Sequence, residues 1–498
     1  MTSSKKHLFL FALLEGATVM AVELLAAKML APYFGSGLYT WGAVIGVTLV
    51  SLSLGYYLGG KTADKYNHQN ILYWVILFSS VFIILMPSVS KNLPLSFEHI
   101  NPITAVVFLS IILILPPLLL LGMVPTLIIR LLSEKVESSG SVTGTVYAIS
   151  TLGGIFGIFL MGFYIIPEFG LSIPAIITGL ILGIITFMLL LMQGKIIVLI
   201  YFVVVAFGFL SLKEKKSHSN LSARQAGIKV LYRSEGLLGQ ILVTDIQYGG
   251  NAAERVLFVN RMGQTYIDLN TGKSRWSYVD YLTSAASILP EGSDVLLLGM
   301  GGGTVANQLN KILGMNVDAV ELDERMVRVA KRFFSLSDNI NIIIDDARHY
   351  LESTEKTYDL ILFDVFKGEV PPSHVLSVEC FERARSLLNP GGFIMVNFNG
   401  FLNGDAGRAG RSLYKTLKAG GLQAQILPTY EEAKYRNNLF LGMPEPMNFD
   451  KVRIPLSRFG TAAAIGSLFV NIKGLNLDDA TVFSDDQPLL ERYNMLAA

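Results

Sequence analysis

Between His7 and Leu212 the sequence passes through seven apolar stretches separated by short polar breaks. Each is close to the roughly 20 residues that a helix needs to cross a bilayer. The stretches fall near 8–31, 40–60, 71–90, 103–132, 143–166, 172–193 and 195–212. Helices buried in a large soluble protein keep a polar face at the helical period, and stretches such as Ala105 to Ile129 have none. Residues 1–212 are therefore expected to form a multi-pass α-helical membrane domain. Lys5 and Lys6 precede a first stretch that carries Glu15, Glu23 and Lys28 and lacks a small-residue cleavage site, so a cleaved signal peptide is not expected.

Charge placement bears on the number of crossings. With seven, the basic residues of the N-terminus and of the second-to-third, fourth-to-fifth and sixth-to-seventh loops share one side, and those after Leu212 lie on the other. Both sides cannot be cytosolic. Splitting the longest stretch at Pro116, Pro117 and Pro125 gives eight crossings and removes the conflict, so seven or eight helices are expected.

The remaining chain has a different character, which global averages conceal. Of 498 residues, 51% are hydrophobic and only 16% charged, a blend of a very apolar first part and an ordinary soluble second part. The length also exceeds what one core usually supports. A formal net charge of +1 and the lack of a basic stripe argue against nucleic acid as a partner. The single cysteine, Cys380, rules out an internal disulfide and any multi-cysteine metal site. It is expected to pack within a helix, and no metal is expected. The polar, basic run KEKKSHSNLSAR at 213–224 suits a linker leaving an anionic membrane surface. Over 225–292, apolar and polar residues alternate between glycines, the pattern of a small antiparallel β unit. From 293 to 498, short apolar strands such as DVLLLGM, VDAVELD and YDLILFD alternate with amphipathic helices, which predicts a mostly parallel, doubly wound α/β sheet. Such sheets bind ligands at the carboxyl ends of their strands.

The residues able to do chemistry gather at those ends. The first strand runs into LLLGMGGGT, so Gly299, Gly301 and Gly303 form a G-x-G-x-G turn that opens a helix and lets a ligand approach the backbone. Eighteen residues after Gly303, Glu321 ends the second strand, where a carboxylate can accept two hydrogen bonds from a ribose diol. Asp345 and Asp346 end the third strand, placed to meet an adenine amino group; Asp323 reads equally well as a solvated strand end. Together these describe an adenosine site without a pyrophosphate clamp, which favours S-adenosyl compounds over dinucleotides.

Over about 270 residues this second half resembles the spermidine synthase (polyamine aminopropyltransferase) family. Gln240 in GQILVTD and Gln264 in RMGQT match two family glutamines. Tyr278 in SYVDYL matches the tyrosine of a Y-x-E motif, with Asp280 standing for the glutamate. The Gly299–Gly303 run matches the Gly-rich loop, Glu321 the ribose-binding acid and Asp346, beside Asp345, the adenine-side acid. Asp364 in LILFDVF matches the catalytic aspartate, and Tyr430 in LPTYEE the tyrosine of a late P-T-Y motif. The resemblance implies a Rossmann-like domain of the S-adenosylmethionine methyltransferase type. It implies decarboxylated S-adenosylmethionine as co-substrate, held by Gln240, Gln264, Gly299, Gly301, Gly303, Glu321, Asp345 and Asp346. An acceptor amine such as putrescine would lie near Tyr278, Asp280, Tyr430 and Glu369. Asp364 would accept or relay the proton that the attacking amine must lose, and methylthioadenosine would leave. By the same resemblance a homodimer is expected.

Two family acids are missing. Gly302 stands where the glycine loop usually carries one, and Lys367 replaces another three residues after Asp364, with Glu369 close enough in sequence to substitute. The lost negative charge keeps two other readings open. One is transfer from intact S-adenosylmethionine, as a methyl or aminocarboxypropyl group. The other is a polyamine transporter or sensor, in which Glu15 and Glu23, eight residues apart on one helix face, attract a cation. For that reading, Gly55 to Lys65 (GYYLGGKTADK) resembles a loop of major-facilitator transporters. Gly153, Gly154 and Gly157 are expected to allow close helix packing. The expected location is a membrane of the bacterial inner-membrane type, with the catalytic domain cytosolic.

Overall fold

The computed structural model describes residues 6–34, 37–66, 68–92, 102–133, 139–210, 227–236, 238–247, 253–365, 372–432, 436–456, 461–487, 489–490 and 492–493. The linker expected at 213–224, together with Lys367 and Glu369, lies outside the described residues. The chain divides into two compact units, Met1–Leu242 and Val243–Ala498.

Among the described residues of the first unit, six helices are long and apolar enough to cross a membrane: α1 (Lys6–Phe34), α2 (Tyr39–Lys65), α3 (Gln69–Ser90), α4 (Ile103–Leu132), α5 (Ser139–Phe169) and α6 (Ser172–Met192). The seventh apolar stretch forms only a shorter helix, α7 (Ile196–Leu210). The proposed split of the Pro-interrupted stretch does not occur, because α4 runs unbroken through Pro116, Pro117 and Pro125. Prolines are tolerated in such helices when neighbouring helices satisfy the backbone around them; here Ser79 of α3 donates to the Pro117 carbonyl at 3.0 Å. The segment from Gly55 to Lys65 is the end of α2 and not a loop.

Small residues set the helix contacts, because close backbone approach is what holds apolar helices together when water is absent. Helix α1 packs on α5 and α2 packs on α4. A Cβ at Gly153 would stand 2.1 Å from the Leu13 carbonyl oxygen, one at Gly157 2.6 Å from that of Ala17, and one at Gly16 1.8 Å from that of Ser150. At Gly154 the nearest atom is the Met20 Cγ, 3.1 Å from where a Cβ would be. At this seam the buried Glu15 carboxylate accepts a hydrogen bond from Ser150 at 2.7 Å. Glu23 is only half-buried.

Four strands, β1 (Ile228–Gly236), β2 (Gly239–Gln247), β3 (Ala253–Val259) and β4 (Met262–Asp268), adjoin in sequence order in one sheet. The division between the units falls inside β2. After α8 (Ser277–Ala286) comes a seven-stranded sheet of order β10–β11–β9–β8–β5–β6–β7. Its strands are β5 (Asp294–Leu298), β6 (Asn316–Glu321), β7 (Asn341–Ile344), β8 (Tyr358–Phe363), β9 (Leu388–Asn399), β10 (Gln423–Pro428) and β11 (Asn437–Met443). The β7–β6–β5–β8–β9 pairs are parallel, and β11 and β10 extend the sheet antiparallel.

Alternate residues of the central strands feed two cores, as a sheet covered on both faces requires. Val295, Leu297, Leu360 and Leu362 join one, and Leu296, Leu298, Ile361 and Phe363 the other. Helices α9 (Thr304–Lys311), α10 (Glu324–Phe333), α11 (Ala347–Ser353), α12 (Val378–Ser386) and α13 (Arg408–Ala419) complete the layers. Cys380 is buried in α12, as expected, and burial pushes its thiol up to about 12. The chain moves outward from β5 through β6 to β7 and then returns to β8 on the other side of β5. That reversal opens a crevice at the carboxyl ends of β5 and β8, where sheets of this type take ligands.

Gly153→Leu is expected to push α1 from α5, lowering apparent stability by roughly 1–3 kcal/mol or more as read by thermal unfolding of detergent-purified protein. Gly144→Ala, on the same helix with nothing within 4 Å of the added Cβ, should leave the midpoint nearly unchanged. Equal losses for the two variants would contradict the close-packing account.

Candidate active site

At the crevice, two stretches of backbone meet. Gly299 follows β5 with φ of +83°, and a Cβ there would lie 2.5 Å from the Asp364 carbonyl oxygen. The Asp364 amide in turn donates to the Leu298 carbonyl at 2.8 Å. Only glycine combines that dihedral with that contact. Gly301 and Gly303 also have positive φ, +53° and +79°, and Gly303 leads into α9.

Gly302 is fixed by a residue far away in sequence. Its amide donates to Thr265 Oγ1 at 3.0 Å, and a Cβ would come within 2.8 Å of two Thr265 side-chain atoms. A side chain at this position would have to displace Thr265, a reason invisible in the glycine run because Thr265 belongs to β4. Gln264 sits beside it, with its carbonyl oxygen 3.9 Å from where a Gly301 Cβ would be.

Glu321 closes the far side of the loop, accepting from the Met300 amide at 3.2 Å and the Asp323 amide at 3.0 Å. Burial raises its carboxyl pKa while these amides oppose the shift. A carboxylate keeps further lone pairs after two backbone bonds, so a diol can still be held. Asp323 is the N-cap of α10, accepting from the Arg325 amide at 2.9 Å and pairing with its guanidinium at 2.6 Å. Asp346 caps α11 through the amides of Arg348 and His349, and Asp345 lies 2.8 Å from His349 Nδ1. That carboxylate holds the exposed His349 above its usual pKa.

At the end of β8, Asp364 is held from two sides. Asn397 of β9 donates to Oδ1 at 2.8 Å, and the Tyr278 hydroxyl donates to Oδ2 at 3.4 Å. Asn437 of β11 donates to Asn397 at 2.8 Å, so a chain of amides crosses three strands to reach the carboxylate. Burial pushes the Asp364 carboxyl up to about 6, against the lowering pull of Asn397 and Tyr278. Burial, with the Asp364 charge second, keeps the Tyr278 phenol well above its ordinary value and therefore a neutral donor. The rings of Phe258, Tyr266, Trp276 and Tyr278 follow one another at centroid distances of 6.2, 5.2 and 5.7 Å, an aromatic row ending at Asp364.

The other expected residues stand on several elements. Asp280 lies two residues beyond Tyr278 on α8, with burial raising its pKa against the pull of Lys273. Tyr430 is 38% exposed. Gln240 is in β2, its amide donating to Glu235 at 3.1 Å. Asn397, Asn437, Thr265 and the aromatic row were not anticipated from sequence. Asn397 alone carried a local signal, as a polar residue within the apolar strand IMVNF.

Residues 278–433 match the family model of the spermine/spermidine synthase domain. Those residues of the chain form a domain of that family. The chain is 33% identical over 123 residues to a probable polyamine aminopropyl transferase of Bifidobacterium longum, a match covering 24% of this chain but only 28% of that protein. Polyamine aminopropyltransferase 2 of Aquifex aeolicus is 22% identical over 459 residues, covering 88% of each chain, so that similarity extends into the helical unit. A solved probable spermidine synthase from Corynebacterium glutamicum aligns at 17% identity and a TM-score of 0.42, over 52% of this chain and 96% of the other.

The elevated Asp364 pKa has a consequence for stability. An unfolded aspartate ionises near 3.8 and this one near 6 when folded, so folding takes up a proton between those values. The contribution is fully present below the unfolded pKa and is lost as pH rises through 6. Asp364→Asn, isosteric and uncharged, is expected to stabilise the protein by on the order of 2 kcal/mol at pH 8. The gain should vanish below about pH 4 in thermal unfolding followed across pH. A variant less stable than wild type at pH 8 would overturn the strained-carboxylate account.

Proposed function

We propose that the protein is a membrane-integral aminopropyltransferase that moves the aminopropyl group of decarboxylated S-adenosylmethionine to an amine such as putrescine. The observation that carries this is the placement of Asp364, a carboxylate titrating near neutrality at the strand reversal, within reach of the glycine turn and under the Tyr278 hydroxyl. Glu321 would take the ribose diol of the donor, with Asp345 and Asp346 on the adenine side and Gln264 beside the glycine loop. The positively charged sulfur would then lie between that loop and Asp364.

The chemistry asks little of the protein beyond placement and one proton. The acceptor nitrogen attacks the propyl carbon next to the sulfonium, the carbon–sulfur bond breaks, and its electron pair neutralises the sulfur, so the leaving group needs no acid. The nucleophile does need a base, because a primary amine with a pKa of about 10 is protonated at neutral pH. Asp364 accepts that proton and passes it to solvent, and Asn397 and Tyr278 hold the carboxylate in the geometry required. The row of rings ending at Tyr278 offers aromatic faces to a cationic chain.

The helical unit reads as a membrane anchor of six crossings. Because α7 is shorter than the roughly 20 residues a crossing needs, an even number of spans returns the chain to its starting side. The basic residues Lys5, Lys6, Lys61, Lys65, Arg130, Lys135 and Lys195 then share one face with those after Leu212, which the positive-inside rule assigns to the cytosol. The conflict found with seven crossings disappears without an eighth helix, and the synthase domain meets cytosolic nucleoside.

In a coupled assay for methylthioadenosine, the purified protein should turn over with a diamine. Asp364→Asn should lose roughly 10²–10⁴-fold in kcat/KM, with wild-type activity rising through about pH 6 as the base ionises. No product from any polyamine would sink this reading. For topology, a phosphatase active only outside the cytosol should be silent when fused to the C-terminus and active in the α1–α2 loop; the reverse pattern would refute six crossings with a cytosolic domain.

A further inference from the structure

We propose that Glu431, held by Ser277, is the anionic anchor for the far ammonium group of a linear amine substrate, an assignment that rests on the aminopropyltransferase reading. One oxygen of Glu431 accepts a short hydrogen bond from the Ser277 hydroxyl. The other is buried and has no hydrogen-bond partner among the described residues. A buried carboxylate oxygen left unpaired is costly, and the group that best offsets the cost is a cationic donor.

The position is suited to the task. Ser277 is the chain neighbour of Tyr278, whose hydroxyl meets Asp364, so the first turn of α8 holds two carboxylates through adjacent residues. Tyr281, one turn further along α8, is pushed up to about 12 by burial, then by the Glu431 charge and by Tyr430, which puts Glu431 and Tyr430 near that face of α8. An amine whose reacting end faces Asp364 could therefore leave its other end at Glu431. Thr265 shuts the acid position at Gly302, and Glu431 restores a negative charge from a different element. A chain ending in a methyl group would leave the oxygen unpaired, so the anchor selects diamines over monoamines.

The test is calorimetric titration of full-length, detergent-purified protein, saturated with methylthioadenosine, using 1,4-diaminobutane and 1-aminobutane as probes. Wild type should bind the diamine at least about tenfold more tightly, as one charge-assisted hydrogen-bonded contact allows. Glu431→Gln should weaken diamine binding by about tenfold to a hundredfold and leave the monoamine unchanged, and Glu431→Asp should recover part of the loss. Unchanged diamine affinity in Glu431→Gln, an equal loss for both amines, or no amine binding by the wild type would overturn the anchor. Should Glu431→Gln fail to bind methylthioadenosine, Ser277→Ala, which frees the carboxylate, decides the matter by the same comparison of diamine with monoamine. A Glu431-dependent diamine preference in a protein that transfers no aminopropyl group would keep the anchor and reject the transferase reading. Transfer with a preference indifferent to Glu431 would do the opposite.

Discussion

The contact between Gly299 and Asp364 is the constraint on which the site depends. Parallel strands β5 and β8 are neighbours because the chain turns back after β7, and their ends can meet only if the residue leaving β5 has no side chain and a positive φ. Once they meet, the backbone of Asp364 is tied to Leu298, and its carboxyl group is held by Asn397 and Tyr278. The glycine turn on one side of the reversal and Asp364 with its hydrogen-bond partners on the other are thereby joined at a single point.

Around that point, charge is controlled by partners from other strands. Asp364 is buried enough to be raised toward neutrality, but the Asn397 amide, itself held by Asn437, and the Tyr278 hydroxyl limit the rise. A group balanced in this way changes protonation where an amine-activating base is useful. Destabilisation of the fold and fitness for proton transfer have the same cause, since both follow from removing water from one carboxylate.

The helical unit follows different physics. In a bilayer, apolar surface does not drive helices together, so contact depends on how closely the backbones approach. Gly16, Gly153 and Gly157 allow that approach between α1 and α5, and the buried Glu15 finds its hydrogen bond at the same seam. Three prolines leave α4 continuous, so the stretch that the eight-crossing reading divided is a single helix.

Much was legible in the sequence wherever one residue reports on its own backbone. Apolar length foretold the membrane-type helices, strand–helix alternation foretold the doubly wound sheet, and the G-x-G-x-G turn, Glu321 and Asp364 marked strand ends, because periodicity, glycine dihedrals and strand termini are local properties. Roles set by contacts across long sequence separations were not legible. Thr265 closing the Gly302 position, Asn397 and Asn437 supporting Asp364, and Ser277 gripping Glu431 all join segments tens to more than a hundred residues apart. Asp323 shows the same limit, since a carboxylate at a strand end looks alike whether it awaits a ligand or caps the next helix. The sequence by itself determined which residues stand at the mouth of the crevice; only the tertiary structure decided which of them face one another, because that pairing is a property of strand order and packing rather than of any local pattern.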